Sequence, residues 1–467
     1  MRKIALLIFA ALALYSCKSG KNYQGVEIEI PDQYRFTDSS YTQVIDTVRV
    51  DTLKVDSLVN INWFEIYEDP VLDTLITKAL ENNLDLMIAA ENIQQAQSAL
   101  VIQKSQMLPN IGYSAGAERG NTLAQNFGNT SNLFTGFGQV NWEIDFWGKF
   151  RRLNEAARAN ILASEEGYRS AKLSLMTTVA TSYFQLLEYK MRLEISQETY
   201  ALRDSMETII EERFDKGIIA EIDLNQAQIQ KAIAQGSVPV WERLISQTEH
   251  LLSVLVGELP QAIETGTPLI DQSLDLSVPE GLPSQLLARR PDILFAEQDL
   301  IASNALVGAA KANRLPNISL TGLLGVAGTQ FSSLGSAGAA WNLGGSLVGP
   351  LFNWGALQRQ VDIEESRTRQ AVLNYEATVL NAFAEVENLL VNIESLQTEM
   401  IAREAHVKAA VRAQFLSQER YNQGVTSYLE YLESQQQAFD SQLNLAGTKS
   451  ELLSSYAQLY AALGGGW

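Results

Sequence analysis

Two spacings of apolar residues take turns along this chain, and each returns. Residues 71–106 carry apolar side chains at three- and four-residue steps among Ala, Leu, Gln and Glu, with no Pro or Gly. That pattern predicts one amphipathic helix. Pro109 ends it, as Pro316 ends a counterpart later on. Past the first proline the period drops to two. Ile111, Tyr113, Ala115 and Ala117 alternate with Gly112, Ser114 and Gly116. After a polar stretch over 119–132, Phe134, Val140, Trp142, Ile144 and Phe146 fall on one face, and Gln139, Asn141, Glu143 and Asp145 on the other. Ile318, Leu320 and Leu324 repeat the phase, as do Trp341, Leu343, Leu347 and Leu351, with Asn342, Gly344 and Ser346 opposite. Strand pairs are predicted over 110–146 and 317–352. The helical period then returns at length. From Arg151 to Arg213 there is no proline and one glycine, Gly167, which allows a helix of roughly 95 Å. In the later long helix Val372, Tyr375, Val379, Phe383, Val386, Leu390 and Ile393 step by 3, 4, 4, 3, 4 and 3, the 3.5-residue period of helices packed along their length. Gly217 and Gly424 are placed to stop these helices in a left-handed cap. Return helices are predicted over 223–256 and 430–463.

The recurrence has a fixed register. "ERFDKGIIAEIDLNQAQ" begins at Glu212 and "ERYNQGVTSYLEYLESQ" at Glu419, and 419 − 212 = 207. The same offset pairs "LDL" at Leu84 with "PDI" at Pro291, "LPNI" at Leu108 with "LPNI" at Leu315, and "FWGKF" at Phe146 with "NWGAL" at Asn353. Units this long are duplicated halves, not solenoid repeats. The expected organisation is a leader over 1–16, an N-terminal tether over 17–60, a first repeat over 61–263, a linker over 264–283, a second repeat over 284–463 and a tail over 464–467.

The alternating strands admit two readings. A soluble sheet packs its apolar face on a core; a membrane barrel turns it to lipid and its polar face to a wet lumen. The runs suit the 9–11 residues of a spanning strand. Phe134, Trp142, Phe146, Trp341 and Trp354 lie toward strand ends or on the apolar face, where interfacial aromatic girdles occur. Four strands cannot close a barrel, and open edges cannot sit in lipid. Membranous strands therefore require oligomerisation, and three chains would supply 12. Beyond Cys17 no apolar run is long enough for a transmembrane helix.

Composition narrows the function. Lys plus Arg is 35 and Asp plus Glu 54, a net charge of −19, which disfavours nucleic acid as a partner. Two histidines, His250 and His406, and one cysteine exclude a disulfide framework within the chain and a Cys/His zinc cluster. No phosphate loop, nucleophile motif or carboxylate–histidine cluster points to an enzyme, a metal or a cofactor. "GFGQVN" lacks the last glycine of a dinucleotide fingerprint and precedes a strand. Arg2, Lys3 and the apolar run Ile4–Leu14 form a secretory leader. It ends in "LYSC", similar to a bacterial lipobox, in which Cys17 becomes the first mature residue and carries acyl chains; the alternative is an ordinary leader with a chance cysteine.

Taken together, "LYSC", "WFEIYEDPVLDTLITKALENNLDL" from Trp63, the twin "LPNI" segments, the twin Trp-Gly strand exits and the twin turn phrases resemble TolC-type outer-membrane efflux proteins. The resemblance is to the lipoprotein branch paired with resistance–nodulation–division pumps, and it covers roughly residues 61–463. It implies a mixed, mostly helical fold: a homotrimer with a 12-stranded outer-membrane β-barrel continued by a long periplasmic α-helical barrel. It implies passive export of small molecules received from an inner-membrane pump and a periplasmic adaptor, with no cofactor beyond the lipid on Cys17. By the same resemblance, Glu430 and Glu433, six and nine residues past Gly424, form acidic rings at a periplasmic gate. Asp223 and Tyr421 form a closed-state hydrogen bond, and Arg213, Gly217, Ile218, Arg420, Gly424 and Val425 meet the adaptor. Thr426 stands where an arginine would add further gate links. For the acids, a solvated helix start explains the same residues. Two other readings remain: a non-channel coiled-coil periplasmic lipoprotein, which would bury the strands, and a duct for type I protein secretion.

Overall fold

A computed structural model describes residues 18–26, 64, 67–121, 130–272, 283–335 and 338–465. The leader, Cys17 and most of the tether lie outside these residues. The helices are α1 Pro70–Asn82, α2 Leu84–Ser105, α3 Lys149–Asp215, α4 Glu221–Leu255, α5 Pro283–Arg289, α6 Pro291–Ala312, α7 Ala356–Asn422 and α8 Tyr428–Ala462. The strands are β1 Asn110–Gly120, β2 Ser131–Ile144, β3 Asn317–Gly328 and β4 Ala340–Val348. The duplication holds to the residue: 291 − 84, 317 − 110, 356 − 149 and 428 − 221 all equal 207.

One predicted helix is two. The 71–106 segment breaks at Asn83, whose backbone is extended (φ −65°, ψ 125°). Its Oδ1 accepts from the Leu86 N–H at 3.0 Å and so caps α2. An asparagine cap interrupts a helix without any Pro or Gly. Conversely, Pro239 lies inside α4 without ending it.

The chain divides into two compact units. The first comprises Met1–Ile28, Ala90–Gly167 and Asp292–Thr378. It holds an antiparallel sheet in the order β1-β2-β3-β4. Directly opposed residues share a face. Ile111, Val140, Gly322 and Leu343 form one row, and Tyr113, Gly138, Leu324 and Trp341 the row two residues further along. Between them, on the other face, run Gly112, Gln139, Leu323 and Asn342. The apolar rows are not packed on a core: Tyr113 is 89% exposed, Leu343 79% and Trp341 76%. This removes the reading in which a soluble core buries the sheet. Among the described residues β1 and β4 are open edges. Because the strands run antiparallel, α2, α3, α6 and α7 all meet the sheet at one end, and both hairpin loops lie at the other.

Side chains fix these junctions. Asp145 accepts from the Phe150 N–H (3.0 Å) and the Arg151 N–H (2.9 Å), capping α3. Its counterpart in the second copy is Phe352, which packs on Trp354 with ring centroids 4.6 Å apart. The Trp147 indole donates to the Pro316 carbonyl just before β3 (2.8 Å), and the Trp142 indole to the Met107 carbonyl just before β1 (2.9 Å). Ala156, Ala159, Ala302 and Ala305 let α3 and α6 pack closely.

The second unit comprises Glu29–Ala89, Tyr168–Pro291 and Val379–Trp467. Its main core gathers Leu72, Ile76, Val179, Tyr183, Phe184, Leu252 and Leu453, all completely buried. At its edge the buried Asp69 accepts from the Val71 and Leu72 N–H groups (3.0 and 3.3 Å), the Tyr183 hydroxyl (2.7 Å), the Thr267 N–H (3.2 Å) and Gln272 Nε2 (2.8 Å). The carboxylate thus joins the start of α1 to α3 and to the segment after α4. Along α7, Val379, Val386 and Ile393 of the 3.5-period seam are buried as expected, and Val386 and Ile393 pack with Leu452, Tyr456 and Leu459 of α8.

Candidate functional site at the helical turns

Two helical turns, each built from a glycine that only its missing Cβ makes comfortable, carry nearly all the residues singled out by sequence. Gly217 (φ 70°) and Gly424 (φ 71°) are left-handed. In the first turn the Gly217 N–H donates to the Phe214 carbonyl (2.8 Å) and the Ile218 N–H to the Arg213 carbonyl (2.9 Å). In the second, Gly424 donates to Tyr421 (3.0 Å) and Val425 to Arg420 (2.9 Å). This is the Schellman pattern, twice. No other atom lies within 4 Å of where a Cβ would sit on either glycine. Ile218 (66%) and Val425 (63%) are exposed beside them.

Under the turns sits a small core of Met206, Ile210, Ala227, Tyr421, Tyr428 and Tyr431. Tyr421 stacks on Tyr431 (6.0 Å, 13°) and tilts against Tyr428 (5.6 Å). The Arg213 guanidinium lies over the Tyr421 ring, 4.9 Å from its centroid. This cation–π contact joins the α3–α4 hairpin to the α7–α8 hairpin. In this structure the buried Tyr421 hydroxyl makes no hydrogen bond to Asp223. Asp223 remains near enough to act through its charge. Burial raises the Tyr421 pKa, the Arg213 cation pulls it back, and the Asp223 carboxylate raises it further. Burial likewise pushes Tyr431 up to about 12, so its phenol is neutral at physiological pH.

In the second hairpin α8 is capped by Ser427, whose Oγ accepts from the Glu430 N–H at 3.3 Å. The first copy has Ala220 there and no side-chain cap. Glu430 is exposed, accepts a hydrogen bond from Thr426 and pairs with Arg420 at 3.1 Å. Glu433, one turn on, is also exposed. The two recurring arginines therefore occupy equivalent positions but have different partners: Arg213 a tyrosine ring, Arg420 a carboxylate.

Sequence reading missed Arg203. It is 3% exposed, donates to the Gln230 carbonyl (3.1 Å) and to Gln436 Oε1 (2.9 Å), and lies 5.6 Å from the Phe439 ring centroid. It ties α3 to α4 and α8. The available signal was its place in the spacing Arg203, Met206, Ile210, Arg213, which steps by 3, 4 and 3 and puts it on the buried face. Among the described residues, no group of three or more His, Cys, Asp or Glu could hold a metal ion, and no helix is long and apolar enough to cross a membrane.

Comparison with known proteins agrees with this architecture. The "Outer membrane efflux protein" family matches twice, over residues 75–258 and 282–465, again offset by 282 − 75 = 207. The chain is 31% identical over 459 residues to the cation efflux system protein CusC of Escherichia coli K12, covering 98% of each chain. It is 34% identical over 411 residues to the solvent efflux pump outer membrane protein SrpC of Pseudomonas putida, covering 86% of this chain and 87% of that one. Among solved structures it resembles the Campylobacter jejuni CmeC outer membrane channel (TM-score 0.85, 26% identity, 97% of this chain and 95% of that one). It also resembles the open state of the Neisseria gonorrhoeae MtrE outer membrane channel (TM-score 0.83, 26% identity, 96% and 98%). The chain belongs to the outer membrane efflux protein family, whose members are transport proteins and not enzymes.

Proposed function

We propose that this chain is one third of a lipid-anchored outer-membrane exit duct, through which small molecules delivered by an inner-membrane resistance–nodulation–division pump and a periplasmic adaptor leave the cell. The observation that carries the reading is the exposed apolar face of an edge-open four-stranded sheet whose helices all attach at one end. Lipid can cover the face, and only neighbouring chains can pair the edges. Three copies give 12 strands, enough to close a wall. The polar rows, with Asn141, Gln139 and Thr321, then line water. Exposed Leu84, Ile88, Leu373 and Leu380 supply helix surface for the same neighbours.

The duct is passive, with energy supplied by the pump. Acidic rings of Glu430 and Glu433 favour cations at the periplasmic entrance. The Arg213–Tyr421 contact, assisted by the charge of Asp223, holds the entrance narrow. The two turns, Arg213 to Ile218 and Arg420 to Val425, meet the adaptor. Cation, solvent and antibiotic pumps occur among the relatives. The pump is therefore expected to choose the cargo.

The test is direct. Outer-membrane fractions should contain a species that resists SDS until heated and runs as three chains. Mild crosslinking should capture an adaptor, and deletion should raise intracellular accumulation of a pumped dye. A heat-insensitive monomer in the soluble periplasm would end the proposal.

A further inference from the structure

The first described residues do not hang free of the sheet-bearing unit. Residues 18–26 lie on it as a strap, and the strap is held by its backbone. The Ser19 N–H donates to the Trp147 carbonyl (3.1 Å). Arg152 donates from Nε to the Ser19 carbonyl (2.8 Å) and from Nη2 to the Gly20 carbonyl (2.7 Å). Asn304 Nδ2 donates to the Lys21 carbonyl (3.2 Å), and the Tyr23 hydroxyl faces Glu297 at 3.5 Å. The partners on α6 thus retreat from residue 308 to 304 to 297 as the strap advances from 20 to 23. Its Lys18 end is therefore beside the β2–α3 junction, and its Tyr23 end points away from the strands along α6.

Arg152 is the centre of this contact. It is 1% exposed on α3, and its remaining Nη1 donates to Glu155 (2.9 Å), which also pairs with Lys18 (2.7 Å). A buried guanidinium needs acceptors for its donors, and two of those it finds are strap carbonyls. Two glycines make room. A Cβ on Gly308 would lie 2.7 Å from Arg152 Nε and 2.8 Å from the Ser19 carbonyl. A Cβ on Gly20, which is left-handed (φ 81°), would lie 2.8 Å from Gly308 Cα. The site reads main chain, excludes side chains at position 20, and has one ion pair with the strap, Lys18–Glu155.

Lys18 follows Cys17 directly in the sequence. We infer that Arg152, Glu155 and Gly308 form a receptor for the strap that fixes the attachment point of the Cys17 acyl chains at the helix-bearing end of the strands. The inference rests on the reading that Cys17 is acylated. Arg152 is then a positioning residue for the anchor, and the segment expected to space lipid from barrel instead begins docked. The contacts of the strap run from Lys18 to Tyr23.

The experiment uses the full-length chain in outer membranes, fed an alkyne analogue of palmitate and treated with a zero-length carbodiimide that joins amine to carboxylate. Mass spectrometry should find Lys18 bonded to Glu155 in the wild type. Arg152→Gln, Gly308→Ala and Gly20→Ala should each lower that yield at least tenfold, while palmitate label and the heat-dissociated oligomer stay at wild-type levels. Gly20→Ala lies outside every helix and strand, so it reports docking even if a helix variant fails to assemble. Wild-type crosslink yield in Gly20→Ala and Arg152→Gln, with label present, overturns the inference and leaves acylation standing. Absence of label in a wild type that still crosslinks overturns acylation, and with it the positioning role, while showing that the strap docks.

Discussion

Arg420 Nη1 and Glu430 Oε1 face each other at 3.1 Å across the second helical turn. A residue expected to meet a partner protein thus neutralises one expected to attract cations. Removing Arg420 should expose the carboxylate. Arg420→Gln is expected to shift the reversal potential of single channels in a salt gradient toward greater cation selectivity, and Glu430→Gln to shift it the other way. Charge reversal at Arg420 should also weaken adaptor crosslinking; unchanged crosslinking would count against the docking role.

At the other turn the contact to break is the cation–π pair. It contributes about 1 kcal/mol where partly desolvated. Arg213→Ala should therefore raise single-channel conductance in planar bilayers. Asp223→Ala, which removes a charge and no hydrogen bond to Tyr421, should raise it less. Equal conductance in wild type and Arg213→Ala would exclude the pair from gating.

The turn glycines make a cleaner test of backbone strain, because nothing crowds them. Gly424→Ala is expected to cost about 1–2 kcal/mol from left-handed geometry alone. Gly424→Asn should cost less, since asparagine tolerates that region. Melting followed by circular dichroism would order the three proteins as Gly, then Asn, then Ala.

Asp69 collects five donors in a completely buried site. Asp69→Ala strands several of them and should destabilise the second unit by about 3 kcal/mol. Gly266→Ala should do comparable damage, because its Cβ would overlap Asp69 Oδ1. Both are expected to lower the melting midpoint without altering the palmitate label.

Strap docking should depend on acidity in a defined window. Burial tends to raise the Glu155 pKa, but hydrogen bonds from Lys18 and Arg152 outweigh it, and the net shift is downward from 4.5. A lowered carboxylate contributes stability that is full above the undocked pKa and fades as pH falls through the docked one. Hydrogen–deuterium exchange protection of the strap amides, corrected for the intrinsic pH dependence of exchange, should accordingly stay flat from pH 7 to about 4.5 and fall only below it.

The strands, the long helices and the turn glycines were legible because each depends on local periodicity or on one backbone angle. Val379, Val386 and Ile393 announced their seam by spacing alone. The break at Asn83 was hidden, since an asparagine in a helical pattern reads as a neutral surface residue until its side chain is seen capping Leu86. The contacts of the Tyr421 ring were hidden for a different reason. Position relative to Gly424 says which residues are near, while ring orientation depends on Arg213, Tyr428 and Tyr431, brought in from two other helices. The Arg152 site was invisible because its ligands on the strap are main-chain carbonyls, which carry no sequence signal.

The common offset of 207 has a mechanical implication. In an α-helix one added residue advances the end by about 1.5 Å and swings every later side chain by about 100°. A single insertion in α3 without its match in α7 would turn the Arg213 cation off the Tyr421 ring and set one hairpin proud of the other. An insertion in α3 can therefore be tolerated only with its match in α7, which makes helix length itself a heritable dimension shared by the two hairpins.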